Sequence, residues 1–228
     1  MEFCLHYEEK GEGEPLVLLH GNGEDGRYFS SQIQFFSSRY RVIAVDTRGH
    51  GRSPRGEGAL TLSVCADDLK SLLQRLGLDR INLLGFSDGG NIALLFALRY
   101  PQCVRRLILN GANLSPRGVK LYVQLPIVLG YTMVSLISKF DSKALAKREI
   151  LGLMVKEPHI TFDQLGQISL PTLVIAGKRD MIRDSHTRKI AAAIPGARLV
   201  FLEGDHFIAA KRSDAFNREV DAFLSSEP

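Results

Sequence analysis

The chain of 228 residues carries 29 Lys and Arg against 25 Asp and Glu, a formal net charge of +4, with 45% hydrophobic and 24% charged residues. These proportions exclude a disordered or collagenous chain, and the length suits one large domain, or one domain with an insertion. The charge is too small and too dispersed to imply nucleic acid, and three widely spaced cysteines, Cys4, Cys65 and Cys103, suit neither a disulfide framework nor a zinc knuckle.

Residues 1–10 alternate polar and apolar side chains and lack the apolar run of a signal peptide, which predicts a strand of a cytoplasmic protein. Nearly continuous apolar runs follow at Leu16–Leu19, Arg41–Val45, Ile81–Leu84, Arg106–Leu109, Thr172–Ile175 and Arg198–Leu202. Such runs belong to strands covered on both faces. Between them, Leu69, Leu72, Leu73 and Leu76 share a helical stripe, as do Ile92, Leu95 and Phe96. The alternation predicts an α/β fold with a mostly parallel sheet of about seven strands covered by helices.

The fourth and fifth of these runs lie roughly sixty residues apart, where a crossover helix needs a dozen or two. Residues 113–162 are therefore read as a helix-rich insertion in a core formed by 1–112 and 163–228. Its uncharged run, Leu121 to Ser138, is interrupted by Gln124, Pro126 and Gly130 and is short for a membrane span. A small helical cap folded over a pocket fits better, with docking on a membrane or partner surface as the alternative.

Gly85-Phe-Ser87-Asp-Gly89 stands where the third run ends and the helical run Asn91–Leu98 begins. A serine on so sharp a turn from strand to helix needs strained backbone, and glycines two before and two after let neighbouring segments approach. The hydroxyl then projects above the sheet, with N–H groups at the helix start aimed at any oxyanion that forms. A serine nucleophile needs a base, and His206 follows the last strand in Gly204-Asp-His206-Phe. An acid is needed to hold the imidazole, and Asp180 follows the fifth run in Gly177-Lys-Arg-Asp180. All three occupy carboxyl ends of strands, which converge on one crevice in an open parallel sheet. Asp184 is the rival acid, otherwise an N-cap of the following helix, and Asp205 reads as a turn residue.

The loop His20-Gly-Asn22-Gly-Glu-Asp-Gly26 offers a further oxyanion donor, but Gly21 to Gly26 also spells G-x-G-x-x-G after a strand, with Asp46 twenty residues on. That is the pattern of a dinucleotide site. An NAD reading leaves Ser87, Asp180 and His206 without a purpose, and His20 stands where such sites place a small or apolar residue. No H-E-x-x-H or Cys/His cluster suggests a metal, and no cofactor is expected.

Taken together, His20-Gly21, Asp46-Thr-Arg48-Gly-His50-Gly-Arg-Ser53, the serine elbow, Gly177-Lys-Arg-Asp180 and Gly204-Asp-His206-Phe occur in an order that resembles the α/β-hydrolase family over essentially the whole chain. The resemblance implies Ser87 as nucleophile, His206 as base and Asp180 as acid. It also implies the backbone N–H groups of Asn22 and Asp88 as the oxyanion hole, and structural roles for Arg48 and His50. An edge strand of longer members is expected to be missing. The elbow Gly-Phe-Ser-Asp-Gly-Gly is similar to that of valacyclovir-hydrolase-like members, where the acid after the nucleophile is associated with amino-acid esters. Asp88 is thus either a helix-dipole partner or a substrate-binding group for an ammonium.

Cys65 and Cys103 read as buried hydrophobes, His186 as a surface residue at a helix start, and His159 as a cap residue without an assigned role. The expected activity is a serine hydrolase cleaving a small carboxylic ester or related acyl compound through an acyl-enzyme. On the same triad, C–C bond hydrolysis, lactone or thioester hydrolysis and acyl transfer stay open, as does a non-catalytic ligand-binding member. Haloalkane dehalogenation is disfavoured, since its nucleophile at position 87 would be Asp. The expected partner is a small-molecule acyl substrate, with no nucleic acid and no stable membrane insertion; oligomeric state is open.

Overall fold

A computed structural model of the chain describes residues 3–138 and 140–226. Seven strands form one sheet: β1 (Tyr7–Lys10), β2 (Glu14–Leu19), β3 (Tyr40–Val45), β4 (Ile81–Phe86), β5 (Val104–Asn110), β6 (Thr172–Gly177) and β7 (Arg198–Leu202). Their order is β1-β3-β2-β4-β5-β6-β7, and β1 alone runs antiparallel, against β3. Each predicted apolar run lies on a strand, and the N-terminal segment supplies the edge strand β1.

Period-two alternation divides the core. Val17, Leu19, Ile43 and Val45 face one apolar cluster, while Leu16, Leu18, Val42 and Ala44 face the other. Helix α1 (Ser30–Phe36) lies on the second face, and α2 (Leu62–Arg75) and α3 (Asp88–Arg99) cover the first. Thr61 starts α2 by accepting the Val64 N–H, and Leu69, Leu72 and Leu73 are buried along its inner stripe. All six residues of β4 are buried, as a central parallel strand requires, whereas β1 is largely exposed.

Between β5 and β6 the chain forms α4 (Leu121–Ile137), α5 (Ser142–Lys156) and the short α6 (Phe162–Leu165). Helices α4 and α5 pack together, and Leu153 and Ile160 anchor the segment in the core, but α4 buries none of its described residues. No described helix is long and apolar enough to cross a membrane. The fold closes with α7 (Asp184–Ala193), α8 (Ile208–Lys211) and α9 (Ser213–Leu224); Phe216 and Val220 of α9 fill the second face.

Because β3 lies on one side of β2 and β4 on the other, the chain reverses direction across the sheet between β2 and β4. Loops leaving the carboxyl ends of those strands open a crevice at that point.

Candidate active site

Ser87 joins β4 to α3 with φ 53° and ψ −120°, the one positive φ outside glycine among the described residues. That conformation costs about 1–3 kcal/mol and is held by its surroundings. The flanking glycines follow from close approach: a Cβ on Gly85 would lie 2.2 Å from the Gly89 carbonyl oxygen, and one on Gly89 would lie 2.1 Å from that of Leu19.

The three strand-end residues meet. His206 Nε2 lies 3.0 Å from Ser87 Oγ, and its Nδ1 lies 2.7 Å from Asp180 Oδ1. All three are buried. Asp180 Oδ1 also accepts the Ile182 N–H at 2.9 Å, which fixes the carboxylate. An ionised carboxylate beside Nδ1 selects the tautomer with its proton there and leaves Nε2 to accept from the serine hydroxyl.

Asp184, the rival acid, is the exposed first residue of α7 and pairs with Arg188 in the next turn. It does not N-cap that helix: Arg183 holds the cap position without a side-chain bond. Asp205 accepts the Phe207 N–H and pairs with Lys211, the geometry of a turn residue.

The loop after β2 is braced by His20, whose Nε2 accepts the Thr47 N–H at 3.0 Å, so that Nδ1 carries the proton and donates to the Gly21 carbonyl at 2.8 Å. Burial pushes the pKa of this imidazole down to about 4. Among the described residues, the N–H groups of Asn22 and Asp88 form no hydrogen bond with the protein. The Asn22 side chain binds the loop elsewhere, donating to Asp88 Oδ2 at 2.9 Å and to the Ile150 carbonyl of α5 at 2.8 Å.

The carboxylate of Asp88 is buried and turned toward two amides, Asn22 Nδ2 and Asn91 Nδ2. Burial raises its pKa to about 6 against the opposing effect of those bonds. It does not line the crevice at Ser87, so an ammonium there would meet other groups first. Asp46, the acid of the dinucleotide pattern, is buried, accepts the Gly26 and Arg52 N–H groups and pairs with His6, so both of its oxygens are engaged within the protein.

The crevice has a volume of about 110 Å³ and is lined by Gly21, Asn22, Glu24, Phe86, Met154, Met181 and Phe207 around Ser87 and His206. Sequence reasoning did not single out Glu24. It closes a reciprocal turn with Gly21, accepting that residue's N–H at 3.1 Å while donating its own to the Gly21 carbonyl. Burial lifts its carboxyl above the usual range. An acid three residues after the loop glycine was the signal that could have found it. Met154 and Met181 carry no such signal, because only folding brings α5 and the loop after β6 to the serine.

The other singled-out residues have structural places. Arg48 makes a buried bidentate pair with Asp68 at 2.6 Å, and His50 is buried with Nδ1 3.0 Å from the Arg48 carbonyl. Cys65 and Cys103 are buried; burial pushes the Cys65 thiol up to about 12, unsuited to a nucleophile. His186 departs from expectation: it is half-buried, and its Nε2 accepts the Leu114 N–H, joining α7 to the start of the insertion. His159 is exposed in a groove with Pro116 and Lys156, apart from Ser87.

Residues 14–132 match the family model of the alpha/beta hydrolase fold. The 2-hydroxy-6-oxo-6-phenylhexa-2,4-dienoate hydrolase of Comamonas testosteroni is 30% identical over 98% of this chain and 92% of its own. The serine hydrolase BPHL of Mus musculus is 29% identical over 96% and 82% respectively. Among solved structures, the enol-lactonase of Burkholderia xenovorans superposes with a TM-score of 0.78 at 25% identity, covering 97% of this chain and 96% of that one. The chain belongs to the α/β-hydrolase fold family and is a hydrolase.

Proposed function

We propose that this hydrolase cleaves a small carboxylic ester or related acyl compound through Ser87, His206 and Asp180. The observation that carries the reading is the unbroken line of hydrogen bonds from Asp180 through His206 to Ser87, beside two unpaired backbone N–H groups. His206 Nε2 takes the hydroxyl proton as Ser87 Oγ attacks the carbonyl carbon. The N–H groups of Asn22 and Asp88 bind the oxyanion as it develops, a contribution of about 3–4 kcal/mol per donor in comparable sites. The imidazolium, stabilised by Asp180, gives its proton to the leaving oxygen, and water then releases the acyl group by the same path.

Residues 113–162 act in this reading as a cap. Met154 brings an apolar wall to the crevice, and the bond from Asn22 to Ile150 ties cap to oxyanion loop. The crevice is small, about 110 Å³, which favours a short acyl group. Its described lining includes the Glu24 carboxylate and neither lysine nor arginine, which favours uncharged substrates over carboxylates. The dienoate and lactone chemistries named for the relatives form the second reading, and the dienoate, an anion, suits this lining less well. The three unpaired cysteines support a cytoplasmic setting.

The test is a chain-length series of chromogenic esters, with a dienoate and a lactone added, assayed beside Ser87→Ala. Turnover fastest on short uncharged esters and lost in the mutant is expected. Wild-type protein inert to all of them and to a serine-reactive fluorophosphonate overturns the proposal.

A further inference from the structure

Helix α4 is built the wrong way round for a helix in water. Its half-buried side, which includes Gln124, Ile127, Tyr131 and Ser135, packs toward α5, and the opposite side faces solvent with Leu125 57%, Leu129 64%, Met133 59% and Leu136 70% exposed. Phe140, just beyond its end, is 90% exposed. The helix carries no charged residue along its 17 positions. A contiguous outward apolar stripe of this length marks a surface that meets something other than water.

The charge around it says what that is. Residues 113–162 contain seven Lys or Arg and three Asp or Glu, so the whole formal charge of +4 lies in this segment and the rest of the chain is neutral. The three acids are already engaged: Glu149 pairs with Arg55, Glu157 accepts the Leu62 N–H, and Asp141 accepts the Lys143 N–H. The cations border the apolar helix. Lys143 and Lys147 stand exposed on the first turns of α5, while Lys156 over the Tyr131 ring and Arg148 at Ser138 add positive charge along the side of α4 that meets α5. An apolar stripe flanked by unneutralised lysines fits the boundary of an anionic bilayer, where the leucines enter the acyl region and the cations meet headgroups. A second copy of the chain fits poorly, because a two-fold contact through α4 would set two segments of +4 against each other.

We propose that α4 and the first turns of α5 form a docking surface for anionic lipid membranes, on which the protein adsorbs without spanning the bilayer. It would then meet its substrates at the membrane surface.

The experiment is cosedimentation of the whole protein with vesicles of phosphatidylcholine, alone or with about a third phosphatidylserine. Binding to the anionic vesicles is expected, weakened by raising salt to about 0.5 M. The double variant Leu125→Ser/Leu129→Ser should lose at least about tenfold in vesicle affinity. Lys143→Glu and Lys147→Glu should each lose about fivefold or more. All these positions are exposed and outside the candidate active site, so hydrolysis of a soluble ester and the circular dichroism spectrum should stay at wild-type levels and report intact folding. Equal binding by wild type and the Leu125/Leu129 variant overturns the proposal. Absence of binding to the anionic vesicles overturns it as well, and a dimer in solution that the same variant dissociates would then assign the stripe to a second copy.

Discussion

His20 should make the stability of this protein depend on acid in a way that one substitution isolates. Its imidazole is buried and neutral, accepts the Thr47 N–H on Nε2, and has a pKa of about 4 against 6.5 when exposed. The unfolded chain therefore takes up a proton below pH 6.5 that the native protein refuses until about pH 4. A depressed folded pKa gives stability that is complete above 6.5 and lost as pH falls between those values. At 1.36 kcal/mol per unit, and with the native ring half-protonated at pH 4, the loss by that point is about 3 kcal/mol. Asp88 works in the opposite sense. Its pKa rises from 3.8 to about 6 through burial, so the native state holds a proton that the unfolded chain releases, and stability falls by a similar amount as pH rises through that interval. The two effects nearly cancel in the wild-type profile. The comparison with His20→Asn removes one of them while keeping a donor for the Gly21 carbonyl. Urea unfolding of both proteins from pH 7.5 to 4 should show the variant less stable at neutral pH, with its deficit shrinking by about 3 kcal/mol at pH 4. A deficit that stays constant with pH would refute the assignment of a buried, neutral His20.

Further outcomes follow from the same geometry. Asp88→Asn removes the effect that offsets His20, so stability of the variant should rise by about 3 kcal/mol from pH 4 to 6.5, a steeper profile than the nearly flat one of the wild type in the same unfolding series. Ser87→Ala should reduce kcat by about a millionfold and Asp180→Asn by about 10⁴-fold, on the scale of other triads, measured in single-turnover and steady-state ester assays. Gly111 has φ +63°, and a Cβ there would lie 2.7 Å from His206 Cε1, so Gly111→Ala should displace the imidazole and cost about a hundredfold or more in kcat while circular dichroism still reports a folded protein. Asp68→Ala leaves the buried Arg48 guanidinium without its carboxylate and should destabilise the fold by about 3–5 kcal/mol in chemical denaturation, with little change in kcat for the molecules that remain folded.

Much of the fold and the meeting of Ser87, His206 and Asp180 could be read from the sequence because they answer to local rules. Apolar runs of strand length between helical stripes produce a buried parallel sheet, and β2 to β7 fall on those runs. The elbow at Ser87 is written in two glycines whose Cβ atoms would strike the backbone. His206 and Ser87 lie 119 positions apart, yet the sequence pairs them, since both stand at carboxyl ends of parallel strands, where the sheet itself brings loops together.

The folded chain alone decided the contacts that obey no such rule. Asn22 reaches Ile150 across 128 positions, His186 reaches back to Leu114, and Met154 arrives in the crevice from an inserted helix. The carboxylate of Asp88, next to Ser87, turns to two amides rather than to the crevice. The apolar face of α4 was visible as composition, but whether it lay inward or outward depended on which side met α5. Periodicity and turn chemistry are properties of neighbours in sequence and can be read from it. The direction of a side chain and the identity of a distant partner are set by how whole elements pack, and that is fixed only in three dimensions.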